Sequence, residues 1–229
     1  MNGTLTGTDE GVHSTADGGH SRTVAKVLGI IPARAGSKRL PGKNTLLLGS
    51  KPLWLHALEQ AEEAGLDPIV STNIPEILRM LGPIEERPGG LCQDETPIEA
   101  VVHQVLQKHR GYDSVVLLNP THPFRKVEDI KLCVEALDSF PSCTAVRKDY
   151  GYTIDEGARF ETLNEQGRIP RLVVTGSIYA VRVPAFLERR KLMITGNVNR
   201  GTYHVETGPH IDIDTMAEYI AAEALWARR

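Results

Sequence analysis

The chain has 229 residues, is 41% hydrophobic and carries a formal charge of −3. That length supports one principal core, and the slightly acidic balance argues against a nucleic-acid binder, whose footprint is a basic domain rather than one basic loop. Three cysteines, Cys92, Cys133 and Cys143, lack Cys-x-x-Cys spacing, which speaks against a zinc site or disulfide framework and for a reducing, cytoplasmic setting.

Residues 1–25 are rich in Gly, Thr, Ser and His and lack the apolar stretch of a signal peptide. They read as a disordered extension whose His13 and His20 sit in a solvated tail, with the main domain spanning 26–229. No apolar run approaches the roughly 18 residues that a bilayer crossing requires.

The domain opens with a strand, Val27 to Ile31, that runs into Pro32-Ala-Arg-Ala-Gly-Ser-Lys-Arg-Leu-Pro-Gly-Lys-Asn44. Gly36 and Gly42 let this loop's backbone approach a ligand, and Arg34, Lys38, Arg39 and Lys43 gather positive charge around it. It is a place to hold phosphates. The spacing matches neither the Walker A loop nor the dinucleotide fingerprint.

A helix is expected from Pro52 to Ala64 with Leu55, Leu58 and Ala61 inward, then a strand at Pro68–Ser71 and a short helix at Ile74–Leu81. A clearer amphipathic helix covers Pro97–His109, with Val101, Val102, Val105 and Leu106 inward. Ser114–Leu118 reads as a buried central strand broken at Asn119-Pro120, which exposes Asn119, Thr121 and Arg125 to the crevice. A helix at Val127–Leu137 and a strand at Cys143–Arg147 complete a βα succession that predicts a mostly parallel sheet covered on both faces. From about 148 to 171 the pattern dissolves into an excursion. A strand at Val173–Val181 interrupted by Gly176, a helix at Pro184–Lys191, a strand near Tyr203–Glu206 and a closing helix at Met216–Trp226 follow. His56, His103 and His109 have no partner pattern and read as surface or helix-flanking residues.

Near the end, His210-Ile-Asp-Ile-Asp-Thr215 puts Asp212 and Asp214 on one face of an extended segment. Adjacent carboxylates suit a cation between them, and magnesium, which shares its oxygen ligands with phosphates, is the natural one. The alternative is a helix cap formed by Asp214 or Thr215.

These motifs, in this order, resemble the sugar-acid cytidylyltransferases, above all the CMP-N-acylneuraminate synthetases. In that family I-I-P-A-R precedes G-S-K-R-x-P-x-K-N, L-L-Q-P-T-S-P-L-R parallels residues 117–125, R-P-x-x-L-A-x-D parallels Arg87 to Asp94, and D-I-D-T lies near the end. The resemblance implies a three-layer α/β/α, Rossmann-like nucleotide-diphospho-sugar transferase fold. It implies transfer of CMP from CTP to the anomeric hydroxyl of a nonulosonic, sialic-acid-like sugar acid, with release of pyrophosphate. The nucleotide would be held by Ala33, Arg34, Ser37, Lys38, Lys43, Asn44 and Arg87, and the sugar by Asn119, Thr121, Arg125 and Gly176. Asp212 and Asp214 would bind Mg²⁺ or Mn²⁺, and Arg34, Lys43, Asp212 and Asp214 would carry the chemistry. Asp94 would order the loop before the helix at Pro97, the other reading being a pure cap of that helix. A homodimer is implied as well.

The chain departs from the family pattern at Asn73 (usually Asp), at Pro97-Ile98 in place of a base-contacting serine, at Asn119 (Gln) and at Thr175 (Asn). Two alternatives follow: a non-catalytic nucleotide-binding module, and a nucleotidyltransferase for another sugar acid such as Kdo.

Overall fold

The computed structural model describes residues 25–149, 171–194, 201–208 and 211–229. The expected N-terminal extension and most of the excursion lie outside those residues, as does His210.

The first strand, β1 (Val27–Ala33), is almost wholly buried. Its alternate residues feed opposite cores: Val27, Ile31 and Ala33 pack on one face of the sheet, Leu28 and Ile30 on the other. A two-residue hairpin, β2 (Leu47–Leu48) and β3 (Lys51–Pro52), leads into α1 (Leu53–Glu63), whose Trp54, Ala57, Leu58 and Ala61 cover the first face. Leu55, expected inward, is only partly buried. Then come β4 (Asp67–Thr72), α2 (Pro75–Leu78), β5 (Ile84–Glu86) and α3 (Ile98–Lys108), which lays Val102, Val105 and Leu106 on the second face. After β6 (Ser114–Leu118), α4 (Val127–Glu135) returns to the first face through Ile130 and Cys133. The remaining elements are β7 (Ser142–Asp149), β8 (Arg171–Arg182), α5 (Val183–Arg189), β9 (Thr202–Glu206) and α6 (Met216–Trp226). Helices on both faces of one sheet give the expected three layers.

The seven-stranded sheet has the order β5-β4-β1-β6-β8-β7-β9. The run from β5 to β6 is parallel, as is the β7–β9 pair, whereas β8 lies antiparallel to both β6 and β7. In the parallel run Ala33, Thr72 and Leu118 end on one side, so the loops that follow them share one crevice. β8 enters that crevice from the opposite direction. Its pairing with β7 shifts register between Thr144 and Val146, beside Gly176, whose φ of +77° lies in the left-handed region.

A third, smaller core decides where the site forms. Leu40 of the basic loop, Leu48 of the hairpin, Leu53 of α1, Ile213 and Ala222 of α6 are all buried together. Burying Leu40 against Ile213 draws the cationic loop and the acidic segment to the same place.

Candidate active site

The basic loop is fastened at its neck. Asn44 is buried and its Nδ2 donates to the Arg34 carbonyl at 2.8 Å, while the Ala35 amide donates to Asn73 Oδ1 at 2.8 Å from the end of β4. Gly42, in the left-handed conformation at φ +66°, opens a single 3-10 turn over Lys43–Thr45 and aims Lys43 inward. The four cations are answered in pairs. Arg34 Nη2 and Lys38 Nζ each lie 2.5 Å from a different oxygen of Asp94. Lys43 Nζ and Arg39 Nη2 do the same to Asp214, each at 2.6 Å.

Asp94 therefore does not cap α3, whose first turn has no side-chain cap. Its carboxyl is held below the usual range by the hydrogen bonds of Lys38 and Arg34. For Asp214, burial opposes ionisation, but Lys43 and Arg39 outweigh it and the net shift is downward.

The segment that delivers Asp214 keeps the alternation expected of it. Ile213 is fully buried and its amide donates to the Thr121 carbonyl at 2.9 Å, so Asp212 and Asp214 face the cleft. The cap belongs to Thr215, which forms a capping box with Glu218 at the start of α6. Cap and carboxylates thus coexist. Asp212 has its pKa raised by burial first and by the charge of Asp214, against a lowering by the Thr121 hydroxyl and Lys43.

At the end of β6, Asn119 Nδ2 donates to the Gly176 carbonyl at 2.8 Å. Arg125 does not open to the crevice as expected. It is buried, donating to the carbonyls of Asn119 (2.6 Å) and Ser177 (2.9 Å) and to Gln60 Oε1 (2.8 Å), and burial lowers its pKa to about 9. Its position beneath the turn follows from those acceptors, which a chain break at Pro120 leaves needing a donor. Arg87 is also buried, bonded to the hydroxyl and carbonyl of Ser71 at 3.2 and 2.9 Å, with its pKa lowered by burial to about 10.

The resulting cleft has a volume of about 320 Å³. Of the predicted residues, Arg34, Ser37, Lys43, Asn44 and Arg87 line it on the loop side. Asn119, Thr121, Gly176, Asp212 and Asp214 line it opposite. Ala33 is buried in β1, Lys38 points outward to Asp94, and Arg125 sits behind the wall.

Residues 28–166, over half of the chain, match the family profile described as cytidylyltransferase. The chain belongs to the cytidylyltransferase family. The match contains the basic loop, Arg87 and the Asn119 turn, while Asp212 and Asp214 lie beyond it. Among curated cytidylyltransferase relatives, it is 40% identical over 121 residues to the CMP-N,N'-diacetyllegionaminic acid synthase of Legionella pneumophila, covering 48% of this chain and 52% of that protein. It is 29% identical over 217 residues to an N-acylneuraminate cytidylyltransferase of Streptococcus agalactiae, covering 85% and 52%. The chain thus spans about half the length of these relatives. The fold is shared with a solved CMP:2-keto-3-deoxy-manno-octonic acid synthetase complexed with CTP, at a TM-score of 0.66 and 20% identity, over 89% of this chain and 99% of that one.

In this member of the family, the donor set fits a hard cation that shares its shell with a ligand. Asp212 Oδ1 is buried without a hydrogen-bond partner, and a second carboxylate lines the same cleft. Among the described residues there is no cluster of three or more His, Cys, Asp or Glu able to hold a metal, so a cation held by these two carboxylates would need phosphate or water for its other ligands.

His122 was not singled out from the sequence, yet it lines the cleft with a side chain only 1% exposed. The available signal was a histidine where the resembling stretch reads serine. Of the histidines read as surface or helix-flanking residues, His109 does flank α3, whereas His56 lies buried within α1. His56 is buried, 3.0 Å from the Leu48 carbonyl and edge-on to Trp226, and His109 Nε2 lies 2.6 Å from Glu85 Oε2.

Proposed function

We propose that the protein transfers CMP from CTP to the anomeric hydroxyl of a nonulosonic sugar acid, releasing pyrophosphate. The observation that carries this reading is the meeting of Lys43 and Asp214, 171 positions apart, at 2.6 Å inside one cleft. A phosphate-binding cation and a cation-binding carboxylate in one place suit a metal triphosphate. The family membership and the legionaminic- and neuraminic-acid names of the relatives support the acceptor class.

In this mechanism Arg34, Ser37, Lys38 and Lys43 hold the triphosphate, the three cations exchanging their aspartate partners for phosphate oxygens. Asn44 and Arg87 contact the nucleoside side. Asn119, Thr121 and Gly176 face the sugar acid, and Arg125 fixes the carbonyls that shape that wall. The hydroxyl oxygen gives up its proton to water and bonds to the α-phosphorus as the bond from that phosphorus to the bridging oxygen breaks, and pyrophosphate leaves with that oxygen. Lys43 lies where it offsets the charge that builds on the phosphates, and catalysis rests on positioning and charge rather than on a protein nucleophile. Mg²⁺, or Mn²⁺ in its place, held by Asp212 and Asp214, supplies Lewis-acid stabilisation of phosphoryl charge when bound.

Incubation with CTP and a panel of sialic, legionaminic, pseudaminic and Kdo acids, read as pyrophosphate release, tests the proposal. Turnover is expected with a nonulosonic acid. Release with Kdo alone would assign the protein to the other sugar-acid branch, and CTP binding without turnover on any acid would make it a binding module. Among the described residues no helix is long and apolar enough to cross a membrane. We assign a cytoplasmic homodimer as the working form, which sedimentation of the full chain checks.

A further inference from the structure

We propose that His122 is a positioning residue that orients the Asp212 carboxylate toward the metal triphosphate. The inference rests on the cytidylyltransferase reading and on Asp212 as an ion ligand. His122 Nε2 lies 3.6 Å from Asp212 Oδ1, about half an ångström beyond hydrogen-bond reach. That oxygen is buried and has no hydrogen-bond partner, a costly state for a carboxylate unless a donor or a cation completes it.

The two residues are held in register by backbone. The Ile213 amide donates to the Thr121 carbonyl at 2.9 Å, tying the segment of Asp212 to the turn of His122. The turn is pinned from below, where Gln60 Nε2 donates to the carbonyls of Pro123 (2.9 Å) and Arg125 (3.0 Å) and the buried Arg125 reaches back to the Asn119 carbonyl. On its open side the ring meets Gly176, where an added Cβ would stand 3.5 Å from Nε2. The turn that carries the imidazole is thus held at its backbone, and Nε2 faces both Gly176 and Asp212.

A carboxylate that binds a cation through one oxygen is commonly oriented by a donor on the other, and losing such a donor costs about 10- to 100-fold in metal affinity. His122 has the burial and the nearness for that part. Closing the 3.6 Å gap needs only a small shift of Asp212 when the ion enters.

The test titrates Mn²⁺–CTP with the full chain, without sugar acid, and follows water-proton relaxation, which rises when the ion is held on the macromolecule. CTP binding in EDTA is measured in parallel by calorimetry, and melting temperature monitors the fold. His122→Ala is expected to weaken Mn²⁺–CTP binding about tenfold or more, with metal-free CTP binding unchanged. His122→Gln, whose amide nitrogen stands near Nε2, restores most of the loss, and it decides the matter should the alanine variant fail to fold. Asp212→Asn loses the metal-dependent part altogether. Unchanged Mn²⁺–CTP binding in His122→Ala, or a glutamine variant as weak as the alanine one, overturns the inference while Asp212 keeps its role. Retained metal dependence in Asp212→Asn removes the ion site itself, and both readings fall.

Discussion

Two aspartates answer the four cations of the basic loop, and they do so from different places. Asp94 comes from a nearby loop, lies at the surface and pairs with Arg34 and Lys38. Asp214 arrives from the far end of the chain, half-buried, and pairs with Lys43 and Arg39. The inner aspartate follows Ile213, which shares a buried core with Leu40, whereas Asp94 and its neighbours Gln93 and Glu95 are exposed. Burial thus fixes the position of the inner aspartate, whereas the outer one rests on exposed ion pairs, which are weak.

The sharpest way to break that contrast is at Lys43. Lys43→Ala is expected to lower pyrophosphate release about 10²- to 10³-fold, the cost of losing one group aimed at transition-state charge, with little change in melting temperature. A loss of a few fold only would make the inner pair structural rather than functional. Next is Thr215, which holds the inner segment without touching the cleft chemistry. Thr215→Ala should cost about 1 kcal/mol, a melting shift of roughly 2–4 °C, while turnover stays within a few fold.

The outer pair should respond in the opposite sense. Asp94→Asn frees Arg34 and Lys38 for phosphate and is expected to lower the KM for CTP by up to about fivefold, the range of an exposed ion pair. A higher KM would mean that Asp94 shapes the loop instead of shielding it. The smallest effect is on pH. The folded-state pKa of Asp94 lies below its unfolded value, so its contribution is complete above the unfolded pKa and is lost as pH falls through the folded one. The melting difference between wild type and Asp94→Asn should therefore be present at neutral pH and fade in acid.

Much of the fold is legible in the sequence wherever burial is continuous or periodic. Ser114–Leu118 and Met216–Trp226 fall where the apolar run and the capping Thr215 put them, and all four inward residues expected of α3 are buried. The loop and the Asp-x-Asp segment are legible too, because charge and glycine density mark them locally. What escaped depends on partners distant in sequence. β5 carries a buried Glu85 that reads as a polar loop until Gln104 and His109 are seen bonded to it. The reversed direction of β8 has no local signature, since pairing with β6 and β7 sets it. Arg125 looked like a ligand-binding cation because its acceptors, the carbonyls of Asn119 and Ser177, become neighbours only after folding. His122 escaped for the same reason, its carboxylate lying 90 positions away.

Each loop cation already faces a carboxylate, but two aspartates serve four cations, so the loop is only partly neutralised and keeps a net positive charge. An incoming anion must compete with aspartates tethered to the same molecule, whose effective concentration far exceeds that of ions in solution. Chloride or a single phosphate, offering one or two contacts, loses that competition. On the proposed function, a polyphosphate bound to a divalent ion would engage several loop cations together and give the displaced carboxylates a new counter-charge, so the aspartates would act as a filter for chelating anions.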